Sequence, residues 1–460
     1  MKHTYGEACL SVWAVAERFL LNTWCGTFLV AKKNGTGRFI VDARPINRAQ
    51  APPPDMGLPR MSAIIREVLR NDIAAKTDGV SYFYQFALAP GIRPYFKARL
   101  ASGRGRYTEL QLKRMPMGWK YAPTIAQHVS DFLVGGCGRA WLDDFIILGS
   151  DSTFTDHRRT FLDRLDRYNV EVDDRDLHGS NRLAALGLDF DLAAKRFRLD
   201  PAWVDKRLPV LQQYLADARA GVQRSTREFL EVMGVLIWAS YVREIPLWAY
   251  AECLAALSAA ASNAPDLDSA YQCPEYCHQN LATWIDNVRL NEWTSPVDQP
   301  PTYNDFVFSD ASSTVAAFIK VCGDQITAGE AWSLPPEQKI FLSEVEAICR
   351  GAAHARLPST LFGTGNQAAH YAMRKGHSSS YVANVLLRRA FGTSKPWSRW
   401  VPTHLQPADR YTRGTKLPAM PCPIDGPVID AIAFATQRNA EGYPNSKRSN
   451  DSVLVRAPAA

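Results

Sequence analysis

Residues 139–151, RAWLDDFIILGSD, place two adjacent carboxylates between apolar runs: Trp141 and Leu142 precede Asp143 and Asp144, and Phe145, Ile146, Ile147 and Leu148 follow. The pattern reads as a β-hairpin with acids at its turn. Like charges in such a place have two readings. One is a solvated turn, which has to expose the tip while burying both arms. The other is a metal site, where several carboxylates converge on one point. Two divalent cations about 3.5–4 Å apart can activate an attacking hydroxyl and clamp phosphates in nucleotidyl transfer. Magnesium takes carboxylate oxygens for this purpose and keeps some of its waters. A third acid on a neighbouring strand completes the set, and Asp78 in IAAKTDGVSYFYQFAL (73–88) is the candidate.

The elements that must position these acids can be read along the chain. TFLVAKKNGTGRFIVDARPINR (27–48) predicts strand, basic turn at Lys33, Asn34 and Gly35, and strand. APPPDMGLPR (51–60) is an extended connector, and MSAIIREVLR (61–70) has helical spacing. Residues 73–88 predict a buried strand, a turn and a short helix. Residues 118–133 predict a helix with Pro123 near its start, and 155–169 a charged amphipathic helix. RLAALGLDFDLAAKRFRLD (182–200) reads as another hairpin, 201–260 as helical, and 261–302 as a polar connector. A second α/β unit begins at YNDFVFSDASSTVAAFIKV (303–321) and ends near Gly414, and the tail from Thr415, rich in Pro, Asn, Ser and Ala, is expected to be poorly ordered.

Composition sets the bounds. The 460 residues, 46% hydrophobic and 22% charged, can build about two to four domains with cores of their own. A net charge of +7 is compatible with a polyanionic partner. The nine cysteines are scattered, which fits reduced thiols in an intracellular protein, cytoplasmic or nuclear. Cys273 and Cys277 beside His278 lack a second ligand pair, which argues against zinc. No membrane span is expected: the apolar start ACLSVWAVAERFLL is interrupted by Glu17 and Arg18 and reads as an amphipathic helix.

With these motifs in order, the first 200 residues resemble reverse transcriptases. WLDD (141–144) is similar to the family's Tyr-x-Asp-Asp hairpin, with Trp141 in place of the tyrosine, and TDGVSYFYQFAL (77–88) to its first palm motif. The resemblance implies Asp78, Asp143 and Asp144 as catalytic ligands of two Mg²⁺ or Mn²⁺ ions, and Phe83 as the ring under the sugar that excludes a 2′ hydroxyl. MPMGWKYAPTIAQ (115–127) resembles the next element; it implies that Gly118 lets the backbone approach the incoming nucleotide and that Met117 packs on it. KKNGTGRFIVDARPIN (32–47) resembles the fingers, where Lys33 and Arg38 would lie on the triphosphate and Asp42 and Arg44 would form a structural ion pair. ALGLDF (185–190) resembles the later palm hairpin that grips the primer. YNVEVDDRDL (168–177) departs by lacking the lysine often found there. Basic and aromatic residues at Arg104, Arg106, Tyr107, Lys113 and Arg114 fit template contact or an ordinary solvated loop, whereas Trp119 and Trp238 read as packing residues.

The later α/β unit resembles the ribonuclease H domain that follows many retroelement polymerases. VFSDASSTVAAFIK (307–320), FLSEVEAICRGA (341–352) and WVPTHLQPADRYTRG (400–414) imply Asp310, Glu344 and Asp409 as metal ligands, with Glu346 on another helix face. Where the family has a further acid, this chain has Gly365, followed by Asn366, so the resemblance implies the fold without a full ligand set. RKGHSSSYVANVLLRR (374–389) and QPADRYTRG (406–414) resemble the DIRS and VIPER type of tyrosine-recombinase retrotransposons.

The implied architecture is α+β: right-hand fingers and palm over 1–200, a helical thumb and connection over 201–302, a ribonuclease H-like domain over 303–414 and a tail over 415–460. The implied partners are an RNA template, a DNA primer or RNA–DNA hybrid, and deoxynucleoside triphosphates. A decayed retroelement protein that only binds nucleic acid is the competing expectation, supported by Gly365 and opposed by the three acids of the first set. An RNA-templated RNA polymerase is disfavoured by Phe83.

Overall fold

The structure is a computed structural model that describes residues 24–31, 37–101, 106–296 and 303–436. The chain divides into two compact units, residues 1–200 and 201–460, both mixing helices and strands. The amphipathic helix expected before residue 24 lies outside the described residues.

In the first unit, β1 (Gly26–Ala31) and β2 (Gly37–Asp42) form an antiparallel ribbon, with Gly26 opposite Asp42 and Ala31 opposite Gly37. A short helix α1 (Arg44–Arg48) follows, then α2 (Met61–Arg70), which buries Met61, Ile64, Ile65, Val68 and Leu69 at the three- and four-residue spacing of one helix face. Next come β3 (Ile73–Asp78), α3 (Tyr82–Gln85), the hairpin β4 (Lys97–Ala101) and β5 (Tyr107–Gln111), and α4 (Ala122–Val134). Strands β6 (Gly138–Trp141) and β7 (Asp144–Gly149) precede α5 (Phe154–Tyr168) and the three-stranded sheet β8 (Arg182–Ala185), β9 (Leu188–Asp191), β10 (Arg196–Leu199).

The sheet that matters for the site has the order β3-β7-β6, antiparallel throughout. Alternation divides its residues between two faces. Phe145 and Ile147 of β7 lie with Ala75 and Ala140 on the face that shares a core with Ala126 and Leu133 of α4 and Phe161 and Leu165 of α5. Asp144 therefore emerges on the opposite face. A second core joins Val41, Ile46, Phe96, Ala98, Met115 and Trp119, and so ties the β1–β2 ribbon to the segment before α4.

The second unit opens with helices α6 (Pro201–Arg219), α7 (Thr226–Val242), α8 (Ala251–Asn263) and α9 (Glu275–Leu290), and a two-residue pairing of β11 (Arg224–Ser225) with β12 (Ala270–Tyr271). Helix α7 starts at a capping box between Ser225 and Glu228. Trp203 and Trp238, the latter expected to be a packing residue, lie with ring centroids 4.7 Å apart. The polar connector expected over 261–302 holds a four-turn helix instead. In α9, Cys277, Leu281, Trp284, Ile285 and Val288 are buried, a clear helical stripe diluted in sequence by the polar residues between.

A six-stranded mixed sheet follows: β13 (Asp305–Ala311), β14 (Val315–Cys322), β15 (Gln325–Ser333), β16 (Thr360–Thr364), β17 (Trp397–Trp400) and β18 (Cys422–Pro423), in the order β17-β16-β13-β14-β15-β18. Strands β16 and β17 run parallel to their inner neighbours and the other pairs are antiparallel. Helices α10 (Ile340–Ala352), α11 (Gln367–Lys375) and α12 (Tyr381–Phe391) contribute to one core, and the short helix α13 (Asp409–Thr412) and α14 (Gly426–Thr436) to another. Order thus persists past Thr415, against the sequence expectation: β18 pairs with β15, and Val428, Ala431 and Ala435 of α14 are buried. The small residues of GPVIDAIAFAT hide an apolar helix face inside a segment that composition alone marks as a tail. The helices of residues 201–290 and the sheet with its helices form one unit: Trp248 Nε1 donates to the Gly392 carbonyl at 2.9 Å, and Arg388 pairs with Glu252 at 2.7 Å. No helix among the described residues is long and apolar enough to cross a membrane.

Candidate active site

The β3–β7–β6 register assembles the first acid set. Asp78 stands directly opposite Asp144, and Trp141 faces Asp144 from the other side, so all three side chains share one face. Leu142 and Asp143 form the two-residue turn, with Leu142 at φ +54°. The Asp143 carbonyl accepts the Gly79 amide at 2.8 Å, which joins the turn to the end of β3. Behind Asp78, the Asp173 carboxylate accepts the Asp78 amide at 2.8 Å and the Thr77 hydroxyl at 2.9 Å. Burial works against the Asp173 charge, yet these hydrogen bonds hold its carboxyl below the usual range. Asp173 lies in the stretch where the family's lysine is missing, and its anchoring role carried no signal in sequence.

Asp144 is pushed up to about 7, first by burial, then by a hydrogen bond with the Asp78 carboxyl and the negative charges of Asp78 and Asp143. Oδ1 of Asp78 is buried without a hydrogen-bond partner. Burial and the neighbouring carboxylates thus favour the protonated form of Asp144. Among the described residues no three His, Cys, Asp or Glu side chains already stand around a single metal position. The donor set nonetheless fits a hard divalent cation: carboxylate oxygens only, one of them orphaned, on adjacent strands.

Around these acids, α3 carries Phe83 half-buried between the two cores of the unit. Its neighbour Tyr84 donates to the Phe39 carbonyl at 2.8 Å, and Gln85 donates to the carbonyls of Val80 at 2.6 Å and Glu171 at 2.8 Å. Gly118 has φ +92°, and a β-carbon there would lie 3.4 Å from the Val41 carbonyl oxygen. Met117 is half-buried and Gly118 exposed, and Asn47 holds the backbone around Gly118. Its Nδ2 donates to the Gly118 carbonyl at 2.8 Å and its Oδ1 accepts the Lys120 amide at 2.9 Å. Trp119 is buried and donates to Gln50 Oε1 at 2.8 Å. Asn47 and Gln50 carry no distinct signal in the sequence, because RPINRAQ also holds the exposed polar residues Arg44 and Arg48.

Asp42 and Arg44 form the expected bidentate pair at 2.8 and 2.6 Å, which holds the Asp42 carboxyl below its usual range. Arg38 sits on β2 with its backbone opposite Val30. Its side chain, and Lys33 and Arg104 entirely, lie outside the described residues. Tyr107 is exposed on β5, and Arg114 donates to the Gln85 carbonyl at 2.7 Å.

The second acid set gathers at one end of the six-stranded sheet. Asp310 on β13 and Glu344 on α10 are buried, and Asp409 begins α13. Burial and then the Asp310 charge push Glu344 up to about 8; burial, against the Thr412 hydrogen bond, raises Asp310 as well. The Thr412 hydroxyl donates to Asp310 Oδ2 at 3.1 Å and the Thr364 hydroxyl to Glu344 Oε2 at 3.3 Å. Arg413 grips Asp409 with two hydrogen bonds of 2.6 and 2.8 Å. Gly365 faces this set: a β-carbon there would lie 3.1 Å from Asp310 Oδ1. Asn366 is turned to another task, its side chain accepting the Ala369 amide at 3.0 Å as the N-cap of α11. Glu346 pairs with Arg350 at 2.7 Å, away from the set, and His404 is exposed.

No family model matches the sequence. Among solved structures the chain is similar to the foamy viral protease-reverse transcriptase dRH in complex with double-stranded DNA, at 12% identity and a TM-score of 0.49, over 82% of this chain and 65% of that one. It is also similar to the foamy viral protease-reverse transcriptase with double-stranded DNA, at 12% identity and TM-score 0.47, over 83% of this chain and 78% of that one. The same viral protein with an RNA/DNA hybrid gives 11% identity and TM-score 0.47, over 88% and 53%. The chain thus spans about two thirds or less of the first and third of these proteins.

Proposed function

We propose that the chain is an RNA-directed DNA polymerase of a retrotransposon, adding deoxynucleotides to a primer 3′ end. The observation that carries this reading is the cross-strand placement of Asp78 against Asp144, with Asp143 at the adjoining turn and one carboxylate oxygen orphaned. Asp78, Asp143 and Asp144 would hold two Mg²⁺ or Mn²⁺ ions, which would supply charge to activate the primer hydroxyl and neutralise the triphosphate. Phe83, on a helix anchored to both cores, presents its ring to the sugar and excludes a 2′ hydroxyl. Gly118, open and kept there by Asn47, lets the backbone approach the nucleotide beside Met117. Lys33 and Arg38, acting as fingers, meet the triphosphate. Trp141 lines the acids on the side away from Asp78, where the primer terminus would lie. Residues 201–302 serve as thumb and connection, guiding the template–primer duplex.

The ribonuclease H-like part supports a narrower role. Asp310, Glu344 and Asp409 offer carboxylates, but Gly365 supplies none where the set is open, and Asn366 is engaged as a helix cap. We read this part as binding hybrid without cutting it. The deciding experiment is primer extension on an RNA template with Mg²⁺ and deoxynucleotides. Wild type extends and Asp143→Asn does not; equal inactivity of both under Mg²⁺ and Mn²⁺ would favour a protein that only binds nucleic acid.

A further inference from the structure

The Asp143 and Asp144 turn depends on Leu142, a left-handed residue with a branched side chain. Such a conformation is uncommon outside Gly, Asn and Asp and persists where its surroundings over-determine it. Here both backbone polar groups of Leu142 are taken by side chains from one face of α4. The Leu142 amide donates to Gln127 Oε1 at 2.7 Å, and its carbonyl accepts the Ser130 hydroxyl at 2.5 Å. Gln127 Nε2 donates to the Ala140 carbonyl at 3.0 Å and to Asp131 Oδ1 at 2.9 Å, which fixes the orientation of the amide. Because Ser130 has one proton and gives it to Leu142, the Tyr82 hydroxyl, 2.7 Å away, must be the donor to Ser130 Oγ. Gln127 and Ser130 are fully buried, and Tyr82 is 1% exposed with its ring edge-on to Phe86 and Phe145.

We propose that Gln127, Ser130 and Tyr82 are positioning residues: a buried hydrogen-bonded clamp that sets where the Asp143 and Asp144 carboxylates stand and links them to the helix carrying Phe83. The inference rests on the polymerase reading of this site. The clamp runs without a break from Tyr82, adjacent to Phe83, through Ser130 to the Leu142 carbonyl.

The test uses the full chain. Mn²⁺ binding is titrated by electron paramagnetic resonance without nucleotide, and kcat and KM for deoxynucleotide are measured on a primed RNA template. Gln127→Met and Ser130→Ala are expected to weaken Mn²⁺ binding about 10- to 100-fold. At saturating metal they lower kcat by a similar factor and leave KM within about twofold, because a misplaced turn costs the transition state more than nucleotide binding. Tyr82→Phe removes one oxygen and keeps the packing; its effect has the same sign, is smaller, and is non-additive with Ser130→Ala. If Gln127→Met fails to fold, Tyr82→Phe and Ser130→Ala carry the test. Equal Mn²⁺ affinity in wild type and these two folded variants, absence of binding in all three included, overturns the clamp. Wild type that binds Mn²⁺ but extends no primer removes the polymerase reading, and the affinities still decide the clamp.

Discussion

Asp144 gathers at one residue the opposing demands on the site. Its carboxyl is buried beside two other acids, and its affinity for a proton rises to about 7 from a usual value of 3.8. A folded-state pKa above the unfolded value stabilises the fold below the unfolded pKa, and that stabilisation is lost as pH rises through the folded one. Thermal melts in chelator should therefore fall as pH climbs from about 4 through about 7. Asp144→Asn should flatten that slope, leaving the part due to Asp310 and Glu344, both raised in the same direction, Glu344 up to about 8. An unchanged slope in Asp144→Asn would mean that another group carries it. The Phe83 prediction also belongs to single side chains. Phe83→Val should raise ribonucleotide incorporation relative to deoxynucleotide by about tenfold or more, the effect of about 1.4 kcal/mol of lost steric discrimination. Single-nucleotide insertion kinetics with both substrates measure it, and an unaltered ratio would remove Phe83 from sugar selection.

At the scale of elements, burial decides which segments hold the molecule together. Helix α9 lies in a stretch that reads as a linker, yet Leu281 is fully buried and Trp284 donates to the Ser240 hydroxyl at 2.6 Å while stacking on Tyr250. Leu281→Ala should cost about 2–5 kcal/mol through lost contacts and a residual cavity. Linker behaviour predicts nearly nothing, so a denaturant titration separates the two. Composition misled at α9 and at α14 for the same reason: a helix needs only one apolar stripe, and the averages over 261–302 and 415–460 are dominated by everything else. The hairpin 138–149 is legible because its apolar residues are dense, and the helices at 61–70 and 154–168 because their apolar residues recur at the spacing of one face.

Across the whole molecule the two acid sets differ in completeness. The first has three carboxylates on adjoining strands and turn; the second has a glycine where its backbone faces Asp310. Gly365→Asp should create hybrid-cleavage activity absent from wild type. In chelator it should also destabilise the fold by about 1–3 kcal/mol through crowding and charge repulsion, with divalent cations restoring the loss. Cleavage by wild type, or a variant whose stability ignores Mg²⁺, would contradict this account of the second set.

The types and order of Asp78, Phe83, Gly118, Asp143 and Asp144 are properties of the sequence, and so are the strand and helix periodicities around them, because local spacing encodes which face each residue takes. Tertiary structure alone decided the rest. Register put Asp78 opposite Asp144 and Trp141 beside it, and a one-residue slip would have sent Asp144 to the α4 face. Packing brought Gln127 and Ser130 to Leu142, Asp173 to the Asp78 amide, and Asn47 to Gly118. These partners lie 12 to 95 positions apart in the chain. Their residue types are common, and only the packed chain brings each polar side chain to the backbone groups it bonds.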